Sequence, residues 1–244
     1  METKRSKFQK RPRRPESSPR FEWFEISAEK VIQILKSEKF LEALKVAASC
    51  TNELGYETRF LVYISKDEKF YISEIEKGST DRVGGLATEI IYEIDHPSTI
   101  PLKVGILFDL HFHPSAIGPI KPSRADIEPF TTRPTKSNFF PAFIAIAQVN
   151  ENMKEIRILL VWVDIENISP PIEILEKDIE NLRIAPNQEI IIQILREIGL
   201  KVELIKFTKE GETYKLDEES EKLIRRYNNF FVFIQEEEEE EEED

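Results

Sequence analysis

The chain has 244 residues, of which 40% are apolar and 33% charged, enough apolar material for a packed core, which excludes wholesale disorder. No apolar run approaches the roughly 18–20 residues that span a bilayer, and no apolar segment follows the basic N-terminal residues as a secretory signal requires. The single cysteine, Cys50, excludes an internal disulfide and every zinc site built on two cysteines, the zinc nucleobase deaminases included; a cytoplasmic location is the expectation.

The net charge of −12 is unevenly spread: residues 1–20 carry +6, residues 236–244 carry −9, and the body between them −9. Both charged ends are expected to be disordered, because like charges repel and neither end has apolar residues to bury. A basic head suits nucleic acid or an acidic partner. No base-reading motif accompanies it, however, and the body is acidic, so a solubilising role or loose pairing of the two ends is the plainer reading. Nucleic acid is not expected as the main substrate.

Phe21, Trp23 and Phe24 open a short strand where the basic head stops. Ser27 is placed to cap a helix through Val31, Ile32, Ile34 and Leu35, and a second helical stretch runs from Ser37 to the stop signal Gly55. Glu57 leads into the apolar strand Phe60–Ile64, a turn at Ser65–Glu68, and a return strand Phe70–Ile75. Gly84-Gly85 marks a loop, and Ile90–Ile94 reads equally as a strand or a helix end. Val104–Leu110 is a buried strand running straight into His111. A loop with prolines 114, 119 and 122 follows, then a short helix opening at Ser123 that Pro129 must bend or end. Ala142–Val149 and Ile156–Asp164 are strong strands. The sum is an α/β (α+β) fold: a mixed sheet flanked by helices over residues 21–169, ending near Pro170-Pro171. Residues 170–235 read as a small α/β extension, with helices over Ile172–Leu182, Glu189–Ile198 and Glu218–Tyr227 and strands over Val202–Phe207 and Phe230–Ile234. The extension has no His or Cys, so no chemistry is assigned to it.

The chemistry concentrates around two of the three histidines. His111 and His113 stand two apart at the end of a strand, where alternation turns both to one side and lets them chelate one ion. Imidazole suits zinc. Nine residues separate His113 from Ser123, and Asp126 falls one turn into the helix that Ser123 opens. A His₂Asp set leaves zinc's fourth position free for water, the arrangement of a catalytic site. Zinc lowers the pKa of such a water to about 7, and a nearby carboxylate outside the ligand set must take the proton. Glu57, between the helix end and the apolar strand, is best placed for this, with Glu53 and Glu74 as alternatives and an exposed surface carboxylate as the plain reading.

Two satisfied core histidines would explain His111 and His113 without a metal, and Ser123 and Asp126 also make a good helix cap. Asp109 shares the face of His111 and could support it or merely edge the strand. His96, beside Pro97, reads as a loop residue, Cys50 as a small buried side chain, and Arg82–Gly85 as a turn.

His111-x-His113-Pro114 followed by Pro122-Ser123-x-x-Asp126, with an upstream Glu between the first long helix and the next strand, resembles the JAMM (MPN+) metalloproteases over about residues 26–165. The resemblance implies an MPN/cytidine-deaminase-like core and a Zn²⁺ held by His111, His113 and Asp126. It also implies Glu57 as the base and Ser123 as a donor to the tetrahedral oxyanion, a role that suits a hydroxyl where negative charge develops. It implies cleavage of isopeptide or peptide bonds to ubiquitin-like or sulfur-carrier-like proteins. The chain departs from the family pattern in a His113–Ser123 loop two residues longer than usual, in Phe112 between the histidines, in Pro129, and in a strand after Glu57 without the usual glycine. Metallohydrolases with two-metal sites need more histidines than His96 can add. The alternative from another class is a catalytically silent MPN-like scaffold that binds partners through its charged tails and extension.

Overall fold

The computed structural model describes residues 21–78, 89–114, 118–131, 140–150, 152–164 and 172–235. Both charged tails, Arg82–Gly85 and Pro170-Pro171 lie outside the described residues.

Side-chain caps set the first helices. Strand β1 (Phe21–Ser27) ends where the Ser27 hydroxyl accepts the Lys30 N–H and starts α1 (Ala28–Leu35). Ser37 caps α2 (Glu38–Leu54) in the same way through the Phe40 N–H, and Gly55, at φ 69°, closes it in the left-handed conformation that glycine adopts without strain. The hairpin of β2 (Thr58–Ile64) and β3 (Phe70–Ile72) follows. The expected return strand is shorter than its apolar run. Ser73 takes the Leu61 N–H on its side chain and gives its own N–H to the Leu61 carbonyl, so pairing breaks there and resumes as β4 (Ile75–Lys77) on the first residues of β2. The ambiguous apolar run is a strand, β5 (Glu89–Tyr92).

Then come β6 (Gly105–Phe112), the one-turn α3 (Arg124–Ile127) with a 3₁₀ turn over Glu128–Thr131, β7 (Phe143–Val149) and β8 (Glu155–Trp162). The last third holds α4 (Glu176–Ile184), α5 (Gln188–Glu197), β9 (Lys201–Glu210), β10 (Thr213–Leu216), α6 (Glu218–Arg225) and β11 (Asn229–Gln235). Helix α4 starts four residues later than the apolar pattern suggests, because Ile174 is pulled into the core and the Asp178 carboxylate caps the Leu175 N–H.

Among the described residues the fold is mixed α+β, with six α-helices on a mixed sheet. The sheet runs β10-β9-β8-β7-β6-β2-β4-β5, with β3 on β2, and β6–β7 is its parallel pair. Strands β9 and β10 prolong it beyond β8, and β11 pairs with β1 as a separate ribbon. Alternation splits the core. Ala145, Ala147, Ile156, Ile158 and Leu160 face a layer made by α1, α2 and α6, whereas Ile144, Ile146, Leu159 and Val161 face one made by α3, α4 and α5. All seven residues of β7 are therefore buried. No described helix is long and apolar enough to cross a membrane.

Candidate metal centre

The two histidines stand at the C-terminal end of β6. Leu110 and Phe112 point into the layer under α2, so His111 and His113 take the opposite face, beside α3. His113 holds its place through its backbone N–H, which donates to the Ala147 carbonyl at 2.9 Å and carries the parallel β6–β7 pairing one step past the strand. The two rings lie 5.0 Å apart between centroids.

Asp126 arrives from α3. The Ser123 hydroxyl accepts the Asp126 N–H at 3.3 Å, and the Asp126 carboxylate accepts the Ser123 N–H at 2.5 Å, a reciprocal cap that fixes the carboxylate at the helix mouth. Pro129 ends the α-helix at Ile127, and the 3₁₀ turn that follows anchors Phe130 in the core. Asp126 Oδ1 lies 3.0 Å from His111 Nε2 and Oδ2 lies 3.7 Å from His113 Nε2. One ligating atom from each of the three residues falls within 4.8 Å of the others. The contact to His111 is close but poorly aligned: Nε2 is buried and makes no hydrogen bond of acceptable geometry, the sole side-chain nitrogen or oxygen in that condition among the described residues. A buried polar atom normally has a partner, and a cation between the rings and the carboxylate would supply one. Two imidazoles and a carboxylate suit zinc.

The charges agree with such a site. Burial works against protonation of His111, but Asp126, Asp109 and Glu57 outweigh it and hold its pKa above the ordinary value. Burial and the neighbouring His111 push His113 down to about 4. Burial raises the Asp126 pKa, and the two imidazoles and the Ser123 N–H more than reverse it, to about 2. His113 is therefore neutral near pH 7 and Asp126 ionised.

Glu57 sits one residue before β2. Thr58 pairs with Phe112 and Arg59 with His111, so continuing the register sets Glu57 opposite His113 on the face of the two rings. Its charge is one of those acting on His111. Two buried hydrogen bonds fix this corner: the Thr58 hydroxyl donates to the Ala47 carbonyl at 3.1 Å and shares a 2.7 Å contact with the Thr51 hydroxyl. The alternatives lie elsewhere, Glu53 exposed on the last turn of α2 and Glu74 between β3 and β4. Asp109 accepts two hydrogen bonds of 2.7 Å from Arg59, the residue opposite His111. Arg59 went unread in the sequence, although period-two spacing from Glu57 puts it on the same face. His96 caps a 3₁₀ turn at Pro97–Thr99, where its Nδ1 accepts the Ser98 N–H. Cys50 is partly exposed on α2 rather than fully buried, and burial and Glu53 push its thiol pKa up, against a nucleophilic role. A cavity of about 390 Å³ opens beside α3, lined by Arg124, Glu128, Thr131 and Ile172–Ile174, and none of the five site residues lines it.

No protein-family model, curated protein or solved structure matches the chain.

Proposed function

We propose that the protein is a zinc-dependent peptidase of JAMM type, with an MPN-like core, that hydrolyses peptide or isopeptide bonds to ubiquitin-like or sulfur-carrier-like proteins. The observation that carries this reading is the convergence of His111, His113 and Asp126, whose ligating atoms lie within 4.8 Å of one another around a buried imidazole nitrogen that the Asp126 carboxylate meets only in poor alignment. The order of parts supports the type: a long helix, Glu57, a strand antiparallel to the one bearing both histidines, and a serine-capped helix delivering the aspartate.

Zinc held by these three residues supplies Lewis-acid activation of a water and of the scissile carbonyl. Glu57, on the same face and outside the ligand set, accepts the proton from the attacking water and returns it to the leaving amine. Asp126 and the two imidazoles hold the metal. The Ser123 hydroxyl accepts the Asp126 N–H, and among the described residues its own hydrogen has no acceptor, which leaves it to donate to the developing oxyanion.

Elemental analysis tests the metal. About one zinc per chain is expected in the wild type and none in a His111→Ala/His113→Ala double mutant. Cleavage of a panel of ubiquitin-like conjugates tests the reaction. Glu57→Gln should keep zinc and lose cleavage, by roughly 10²-fold or more for a lost general base, whereas His113→Ala should lose both. A wild type that takes up no supplied zinc would sink the hydrolase reading in favour of a partner-binding scaffold.

A further inference from the structure

His111 rides on a strand in the middle of the sheet and His113 follows one residue past its end, but Asp126 rides on a helix of four residues at the end of a loop. Something must hold that loop, because a shift of a fraction of an ångström at Asp126 changes the ligand set. Several of its described anchors come from the α4–α5 arm, a segment without His or Cys. Gln188, the first residue of α5, faces the Ile120 main chain with both ends of its amide: Oε1 accepts the Ile120 N–H at 2.8 Å, and Nε2 donates to the Ile120 carbonyl at 3.4 Å. A primary amide offers one donor and one acceptor side by side, as a backbone edge does, so Gln188 pairs with the loop as one residue of a strand would. Lys121 Nζ donates to the Arg183 carbonyl at 2.7 Å, at the end of α4. From the sheet, Arg157 donates to the Gly118 carbonyl at 2.9 Å and to Gln148 at 2.6 Å. The arm is itself anchored: Leu182, Ala185, Ile191 and Leu195 are buried in the core that also receives Ile120.

We infer that Gln188 is a positioning residue that fixes the Ile120–Asp126 segment and so sets where the Asp126 carboxylate meets His111 and His113. The inference rests on the metal-site reading for its functional meaning, while the strap itself is a property of the protein without metal. The α4–α5 arm then acts as a buttress for the third ligand.

The test uses the full chain with Gln188→Ala, Gln188→Glu and Gln193→Ala; the Gln193 amide bonds Glu197 on the same helix and leaves the loop untouched. Amide exchange in metal-free protein reads the strap, and zinc competition against a chromophoric chelator reads its consequence. In Gln188→Ala the Ile120 and Asp126 amides should exchange roughly tenfold faster or more, and zinc affinity should fall by up to roughly tenfold, the low end of the loss seen when a group bonded directly to a metal ligand is removed, because Gln188 acts through the loop and not on a ligand. Gln188→Glu keeps the acceptor for the Ile120 N–H but loses the donor to the Ile120 carbonyl, so it should recover part of that affinity in step with slower exchange at Ile120, and affinity that does not track that exchange overturns the role at the site. Gln193→Ala should match the wild type in both readouts. Unchanged exchange in Gln188→Ala overturns the strap, and unchanged zinc affinity overturns its role at the site. A wild type that binds no zinc removes the metal reading instead, and exchange at Ile120 and Asp126 then decides the strap alone.

Discussion

At the scale of single residues, the three proposed ligands have different proton affinities, and metal binding must compete with them. His113, with its pKa near 4, offers a neutral ring at any pH above that. Asp126, near 2, is ionised over the same range. His111, raised above the ordinary imidazole value, is the one that keeps a proton in mildly acid solution. A metal can bind only by displacing that proton. The sign follows: zinc affinity should fall as pH drops through the raised pKa of His111. The slope there should be about tenfold per pH unit, for one proton released per zinc, steepening below about pH 4, where His113 takes a second. Calorimetry in buffers of different ionisation enthalpy would count the protons directly; two released per zinc at pH 5 would mean that His113 is not held low. The grouping of His111, His113 and Asp126 in this candidate site was legible from spacing: period two for His111 and His113, one helical turn from Ser123 to Asp126. Arg59 and Gln188 were not, since an arginine or glutamine has no chemical signature until the fold shows what it faces.

At the scale of elements, the legible features were those written locally. Ser27, Ser37 and Gly55 cap or stop their helices because a hydroxyl acceptor or a left-handed glycine acts on its own neighbours. Pairing is non-local, and the sequence did not announce that β1 would join β11 or that β9 would join β8. The sequence was likewise ambiguous at Ile90–Ile94, where four apolar residues around Glu93 suit a strand and a helix end alike. Gly105 shows a constraint of this non-local kind. A Cβ there would stand 2.6 Å from the Phe233 carbonyl oxygen and press on the Val232 side chain, so the start of β6 and β11 can cross this closely only through a glycine. Both contacts belong to well-packed segments, and one is backbone, so neither can move aside without cost. Gly105→Ala should therefore destabilise by about 1–3 kcal/mol, the usual effect of overpacking. That is a fall of several degrees in Tm by thermal denaturation, with zinc content unchanged because the ligands lie six or more positions further along. A variant as stable as the wild type would mean that β11 can shift away from β6.

At the scale of the whole molecule, none of the proposed site residues lies beyond Asp126, yet the site depends on the final strand. The β1–β11 ribbon pairs residue for residue from Phe21↔Gln235 to Ser27↔Asn229 and feeds both core layers. Phe230 packs on Phe143 and Trp162 in one layer, with ring centroids 4.7 and 5.7 Å apart. Phe233 meets Trp23 at 4.6 Å in the other, close to Phe140. Phe230, Val232, Phe233 and Ile234 are all buried. Removing four such side chains forfeits about 1.5–3 kcal/mol each, roughly 6–12 kcal/mol together and an upper bound, because a denatured chain already hides some apolar surface. That loss is comparable with the entire stability of an ordinary protein, about 5–15 kcal/mol, and it leaves the backbone of β1 unpaired as well. A chain ending at residue 228 should therefore fail to fold or melt far below the full chain, and it should bring down zinc binding with it. A chain ending at residue 235, which removes only the acidic run, should keep both. Circular dichroism melts and metal content of the two truncations check this. If the chain ending at 228 retained a cooperative transition and a full zinc complement, the ribbon would be a separable appendage, and the core around the candidate metal centre would stand on β2 and β6–β9 alone.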